Sequence, residues 1–161
     1  MKLTPEQIKF FRENPGLASK YLFNSEPLWY QEDMLNIANN ARITMWLCSR
    51  GTAKTWEGAI WLASGASLYN DMQCCVYAKD FNYTKATFQK LEKIYDNSPF
   101  LRSITYGPPK ISKEKAELKF KNGSVIKAEP FKRGRRWHRI LLDEAREIDL
   151  SDFSTIILPM L

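Results

Sequence analysis

The chain has 161 residues, 44% hydrophobic and 26% charged, which suits one globular domain with a sizeable core and excludes a largely disordered chain. Lysine and arginine outnumber aspartate and glutamate by 24 to 18, and the net charge of +6 favours a polyanionic partner such as nucleic acid; the alternative is a basic protein that is merely soluble. The three cysteines, Cys48, Cys74 and Cys75, lack metal-ligand spacing, and no apolar run approaches the ~20 residues that span a bilayer, so buried free thiols in a reducing, cytosolic compartment are expected.

Thr4, Pro5 and Gln7 read as a helix start in which Thr4 caps, Pro5 takes the first helical position and Gln7 closes a capping box. That helix should stop at Asn14-Pro15-Gly16, and a second should run from about Leu28 to Asn39. Ile43, Met45, Trp46 and Leu47 form a short apolar run, expected as a strand, that ends in a loop around Gly51 and leads to a helix over Thr55 to Leu68. A second buried strand is expected over Cys74 to Ala78, with a helix over roughly Phe81 to Tyr95, which together make a βαβ unit. Asn97-Ser98-Pro99 and Gly107-Pro108-Pro109 bracket a connector. Leu118 and Phe120 alternate with charged residues as a half-buried strand does, and Asn122-Gly123 reads as a two-residue hairpin turn with positive φ at both positions. A basic stretch from Lys132 to Arg139 then leads into the apolar strand Ile140-Leu141-Leu142, which ends at Asp143-Glu144. The residues from Leu150 to Leu161 read as one more helix, broken by Pro159.

Two segments carry chemistry. Cys48-Ser49-Arg50-Gly51-Thr52-Ala53-Lys54-Thr55 sits between a strand and a helix, the setting of a phosphate-binding P-loop, where backbone N–H groups cradle phosphate, a lysine pairs with it and a hydroxyl holds Mg²⁺. Lys54 and Thr55 fit the last two roles. The usual pattern would place glycines at 48 and 53, whereas this chain has Cys48 and Ala53, so Ala53 should keep φ negative to tolerate its methyl. The alternative is a polar turn. Asp143 and Glu144, delivered by an apolar strand, supply the second half: Asp143 to hold Mg²⁺ through water, Glu144 to orient and deprotonate an attacking water. Otherwise they simply open a polar loop. Arg50 could reach a phosphate or be a surface cation. Lys132, Arg133, Arg135, Arg136 and Arg139 could face nucleotide, a neighbouring subunit or DNA, while His138 is read as structural. Gln31 could pair with an adenine edge, and core packing is expected for its neighbour Trp29.

Taken in order, Tyr30-Gln31, the loop Ser49 to Thr55, Val76-Tyr77-Ala78-Lys79-Asp80, Asn122-Gly123-Ser124, Arg133-Gly134-Arg135-Arg136 and Leu141-Leu142-Asp143-Glu144-Ala145 resemble the large subunit of tailed-phage terminases, the motor that pumps DNA into a procapsid. The resemblance covers roughly residues 27–161. It implies an α/β P-loop NTPase of the ASCE, RecA-like type, with a central, largely parallel sheet flanked by helices plus an antiparallel hairpin. It further implies that Ser49, Arg50, Gly51, Thr52, Ala53, Lys54 and Thr55 bind ATP, that Thr55 and Asp143 hold Mg²⁺, that Arg50, Lys54 and Glu144 act in hydrolysis, and that Gln31 reads adenine. The partners it implies are duplex DNA, the portal protein, the small terminase subunit, and other copies or a separate C-terminal chain, in the host cytoplasm at the procapsid portal, with no membrane.

On that likeness residues 1–40 form a helical segment with the adenine-side motif and residues 41–161 a partial ATPase core. Members of the family continue to a coupling motif and a nuclease domain, neither of which is found here, so the chain reads as truncated and, alone, as weakly active or inactive. A helicase or other DNA translocase fragment is the alternative among P-loop proteins, and a catalytically silent DNA-binding or assembly module is the alternative from another class.

Overall fold

The computed structural model describes residues 2–78, 80–128 and 136–160. Three helices lead the chain: α1 (Pro5–Glu13), α2 (Pro15–Phe23) and α3 (Trp29–Asn40). The Thr4 and Gln7 side chains close the expected capping box on α1. Sequence reading missed α2, because Pro15 and Gly16 look like breakers; here Pro15 occupies the first helical position, where its missing N–H costs nothing. Ala18, Leu22, Phe23 and Leu35 share one core cluster with residues of the later helices, so residues 1–40 have no core of their own.

The segment expected as the first strand, Ile43 to Leu47, makes no ladder pairing among the described residues. Ile43, Met45 and Leu47 are exposed, and Thr44 Oγ1 and Trp46 Nε1 are buried without partners. The run alternates, but among the described residues it has no neighbouring strand to pair with, and a ladder needs two. It feeds α4 (Lys54–Leu68), most of whose residues are buried. Small residues let α4 lie close to the sheet: a Cβ at Gly58 would sit 2.7 Å from the Leu141 side chain, and one at Gly65 2.8 Å from Arg139 Nη1.

Beyond α4 come β1 (Gln73–Tyr77), α5 (Phe81–Asn97), the short α6 (Pro99–Ile104) inside the expected connector, β2 (Lys110–Ile111), β3 (Ala116–Lys119), β4 (Val125–Ala128) and β5 (Arg139–Leu142). The sheet runs β2-β3-β4-β1-β5, with β1 parallel to both β4 and β5 and antiparallel pairing at β2–β3 and β3–β4. It is therefore a mixed sheet flanked by helices, less parallel than the sequence suggested. Cys74, Val76, Ala116, Leu118, Ile126 and Ala128 share one face by register and join Phe88, Leu91 and Ile94 of α5 in the core. On the other face Cys75 packs with Trp137 and Ile140.

The β3–β4 connection differs from the two-residue turn. Lys119 pairs with Val125, leaving five residues between, and of Asn122 and Gly123 only Gly123 has positive φ, at 84°. Asn122 is used instead for its side chain, whose Nδ2 donates to the carbonyls of Ala66 and Tyr69 at 2.9 Å each and so caps the C-terminal end of α4. After β5 a single 3-10 turn (Ala145–Glu147) precedes a helical stretch whose winding changes twice: Leu150–Asp152, Phe153–Ile157 and Leu158–Met160. Among the described residues no helix is long and apolar enough to cross a membrane.

Glu57, in the first turns of α4, is 1% exposed with Oε2 unpartnered, and burial pushes its carboxyl up to about 7 from the ordinary 4.5. The folded chain keeps this proton where the unfolded chain has released it, so stability falls as pH rises from 4.5 through 7. Glu57→Gln should remove that slope. Urea unfolding should find the variant more stable than the parent above the folded-state titration, by about 1–3 kcal/mol, and little changed below pH 5.

Candidate functional site

The site gathers where α4 begins and β5 ends. Thr55 Oγ1 donates to Asp143 Oδ2 at 3.3 Å across 88 positions of sequence. Thr87 Oγ1 from α5 donates to the same oxygen at 3.4 Å, and the Glu144 N–H donates to Asp143 Oδ1 at 3.1 Å. The Asp143 N–H pairs with the Tyr77 carbonyl, extending the β1–β5 ladder by one residue, which fixes where the carboxylate emerges. Burial raises the Asp143 carboxyl above its ordinary value, the neighbouring Glu144 charge adds to this, and the three donated hydrogen bonds oppose it.

Thr87 is the residue that sequence reading missed. It is fully buried on the apolar stripe of α5 beside Phe88, Leu91 and Ile94, where a hydroxyl needs a partner. A threonine at a core position of an amphipathic helix was the available signal.

The loop from Cys48 to Thr55 folds on itself. Lys54 Nζ donates to the carbonyls of Cys48 at 3.1 Å and Ser49 at 2.9 Å, and Thr52 Oγ1 donates to the Ser49 carbonyl at 3.0 Å. Gly51 adopts φ 87°, where a Cβ would meet open space but the backbone would be strained. Ala53 does not keep the negative φ expected of it: it sits at φ 60°, ψ 28°, immediately before α4. Glu144, at φ 51°, ψ 46°, is the other residue of the site held in the left-handed region. Such a conformation costs a side-chain-bearing residue about 1–2 kcal/mol, so both ends of the site store strain.

The ends of α4 differ. Its last carbonyls are taken up by Asn122, by Arg12 Nε on Leu68 at 3.0 Å and by Ser124 Oγ on Tyr69 at 2.8 Å. Its first turn has no side-chain cap, and the earliest helical bond runs from Glu57 N–H to the Ala53 carbonyl. The N–H groups of Lys54, Thr55 and Trp56 are thereby left at the positive end of the helix dipole, suited to an anion. Among the described residues no cluster of three or more His, Cys, Asp or Glu could hold a metal. A magnesium site does not need one: one carboxylate, one hydroxyl, substrate phosphate and waters complete the octahedron, so Thr55 and Asp143 fit that ion.

The remaining candidates divide. Ser49 and Arg50 are exposed on the loop. Glu144 is also exposed, and Arg146 Nε lies 3.3 Å from its Oε2. Gln31 is buried, and its Oε1 accepts the Leu28 N–H at 2.7 Å as the cap of α3, so half of the amide expected to read adenine is already engaged. Trp29, expected in the core, is 77% exposed and packs edge-on to Tyr30. Of the basic run, Lys132, Arg133 and Arg135 lie outside the described residues, and Arg136 is exposed. Arg139 is turned inward, donating to the Trp61 carbonyl at 2.6 Å and Asn39 Oδ1 at 2.9 Å, with its guanidinium 4.6 Å from the Trp61 ring centre. Its guanidinium is thereby engaged within the fold, unlike that of the exposed Arg136. His138 is structural, its Nδ1 accepting the Gln73 N–H at 2.9 Å beside the start of β1.

No protein-family model matches the chain, and no curated protein matches it.

Replacing Ala53 with glycine removes the left-handed cost and adds glycine's unfolded-state entropy, so Ala53→Gly should be neutral to stabilising, by up to about 1 kcal/mol. A lower melting temperature for the variant in thermal denaturation would show that the methyl is favourably packed and that the loop is not strained at this position.

Proposed function

We propose that the chain is the ATP-binding and ATP-hydrolysing part of a viral DNA-packaging motor of the terminase large-subunit type, with a P-loop of the ASCE kind. The observation that carries this reading is the meeting of Thr55 with Asp143, 3.3 Å apart though 88 positions separate them. The pairing of a hydroxyl at a helix start with a carboxylate at the end of an apolar strand is what Mg²⁺ coordination in such ATPases uses. The uncapped start of α4 supports it as well, since three free N–H groups suit a phosphate chain.

In this reading Lys54 leaves the Cys48 and Ser49 carbonyls, which hold it in the loop, and pairs with the terminal phosphates. Thr55 and Asp143 hold Mg²⁺, with Thr87 keeping the carboxylate oriented. Bound Mg²⁺ would neutralise phosphate charge as the bond to the leaving group lengthens. Glu144 turns from Arg146, orients the attacking water and takes its proton. Arg50, exposed in the loop, meets charge developing on the transferred group. Duplex DNA, the portal protein, the small subunit and further copies of the chain are the partners this function requires.

Turnover by the chain alone is expected to be slow. Among the described residues Ile43 to Leu47 is unpaired and β5 pairs with β1 alone, so within them no continuous sheet joins the loop to the Asp143 carboxylate. Calorimetry should find Mg-ATP binding by the parent and at least a tenfold loss in Lys54→Ala, the removal of about 1.4 kcal/mol or more of charge-assisted contact. Absence of Mg-ATP affinity in the parent would refute the proposal, and salt-dependent DNA binding in its place would favour a silent DNA-binding module.

A further inference from the structure

We propose that the face of β2–β3–β4 turned away from the helices is a docking surface for the phosphate backbone of duplex DNA, separate from the basic run between Lys132 and Arg139. Residues 110–127 contain six lysines and two glutamates, so a net +4 of the chain's +6 rests on a small part of it. Register places the charges. Lys110 is opposite Glu117 and Glu117 opposite Lys127, while Lys119 lies two residues along β3 from Glu117, so all four side chains share one face. The core-forming residues Ala116, Leu118, Ile126 and Ala128 occupy the other.

At about 5 Å per strand and about 7 Å per residue pair along a strand, the three lysines stand about 9–10 Å apart. That is about one Debye length at ordinary salt, so their mutual repulsion is only partly screened. The single acid among them, Glu117, pairs with Lys119 at 3.1 Å. Lys110 and Lys127 have no ion pair among the described residues. Lysine on an edge strand is a common guard against unwanted pairing, and Lys110 can serve in that way. Edge protection does not account for Lys127, which is on an inner strand flanked by β3 and β1.

The chemistry of the face selects the partner. A protein interface needs exposed apolar or aromatic anchors at its centre, whereas the one apolar side chain that register places among these charges, Val125, is buried. Single-stranded nucleic acid is held by rows of aromatic rings, whereas the exposed aromatic beside this face is Tyr106, whose N–H pairs with the Lys119 carbonyl. Spaced ammonium groups without base-reading side chains suit the phosphates of a duplex, in a contact that is independent of sequence. The identity of the duplex as DNA rests on the motor function proposed above.

The test is fluorescence anisotropy of a labelled DNA duplex with the full chain, in a salt series and without nucleotide. Lys110→Gln, Lys119→Gln and Lys127→Gln together should weaken binding about tenfold or more and lower the slope of log affinity against log salt by about 3. The three lysines changed to arginine should retain binding, and a control with Lys2, Lys9 and Lys93 changed to glutamine should match the parent. If the triple glutamine variant does not fold by circular dichroism, Lys119→Gln alone should lower the slope by about 1. Parental affinity and slope in the glutamine variants, no duplex binding by the parent, or tighter binding of single strands would each overturn the proposal. Because no nucleotide is present, a failed ATP site shows separately, as missing Mg-ATP heat in calorimetry, and leaves the anisotropy result standing.

Discussion

The hydrogen bonds that converge on Asp143 organise the site. One carboxylate, emerging from β5 one residue beyond the strand, accepts from Thr55 at the start of α4, from Thr87 on α5 and from the Glu144 backbone. Two helices and a strand are thereby fixed relative to one another at a single point. The group is partly desolvated and its carboxyl is raised, so burial works against its charge and the donated hydrogen bonds work for it. A carboxylate in this state gains from a cation more than an exposed one would, because less water is displaced when the cation arrives.

Around that point the two ends of α4 are treated oppositely. The C-terminal carbonyls are occupied by Asn122, Arg12 and Ser124, with Arg12 also stacked 4.0 Å over the Tyr69 ring. Its N-terminal N–H groups are left without a side-chain cap, behind an alanine in the left-handed region. A good N-cap is worth about 1 kcal/mol, and α4 goes without one, as α2 also does. Strain at Ala53 and Glu144 on either side of Asp143 is consistent with positions kept for binding rather than for stability.

Much of this was legible in the sequence. The capping box at Thr4, the α4 and α5 spans and the apolar strand that ends at Asp143 follow from local rules of caps, periodicity and apolar runs, whereas Thr55 and Asp143 were brought to one site only by the roles of the P-loop motif. What was not legible depended on the partners of each segment. Ile43 to Leu47 has strand composition, yet pairing is non-local and no neighbour is supplied among the described residues. Asn122 carries a hairpin signal, yet its side chain is used to cap a helix far away in sequence. Arg139 looks like part of a basic surface run, but the inward side of β5 places it beneath Trp61. Thr87 stands out as a hydroxyl on an apolar stripe, but the group it serves is known only once the Asp143 carboxylate is placed beside it.

The central claim is that Thr55 and Asp143 act jointly on one Mg²⁺ ion. A double-mutant cycle on Mg-nucleotide affinity, using Thr55→Val, Asp143→Asn and the two combined, tests it directly. Joint ligation predicts a coupling energy of about 1–3 kcal/mol, with the double variant little weaker than the worse single one and with the coupling vanishing when Mg²⁺ is withheld. Additive losses, or coupling that persists without Mg²⁺, would contradict it, because the 3.3 Å contact would then be a structural hydrogen bond alone.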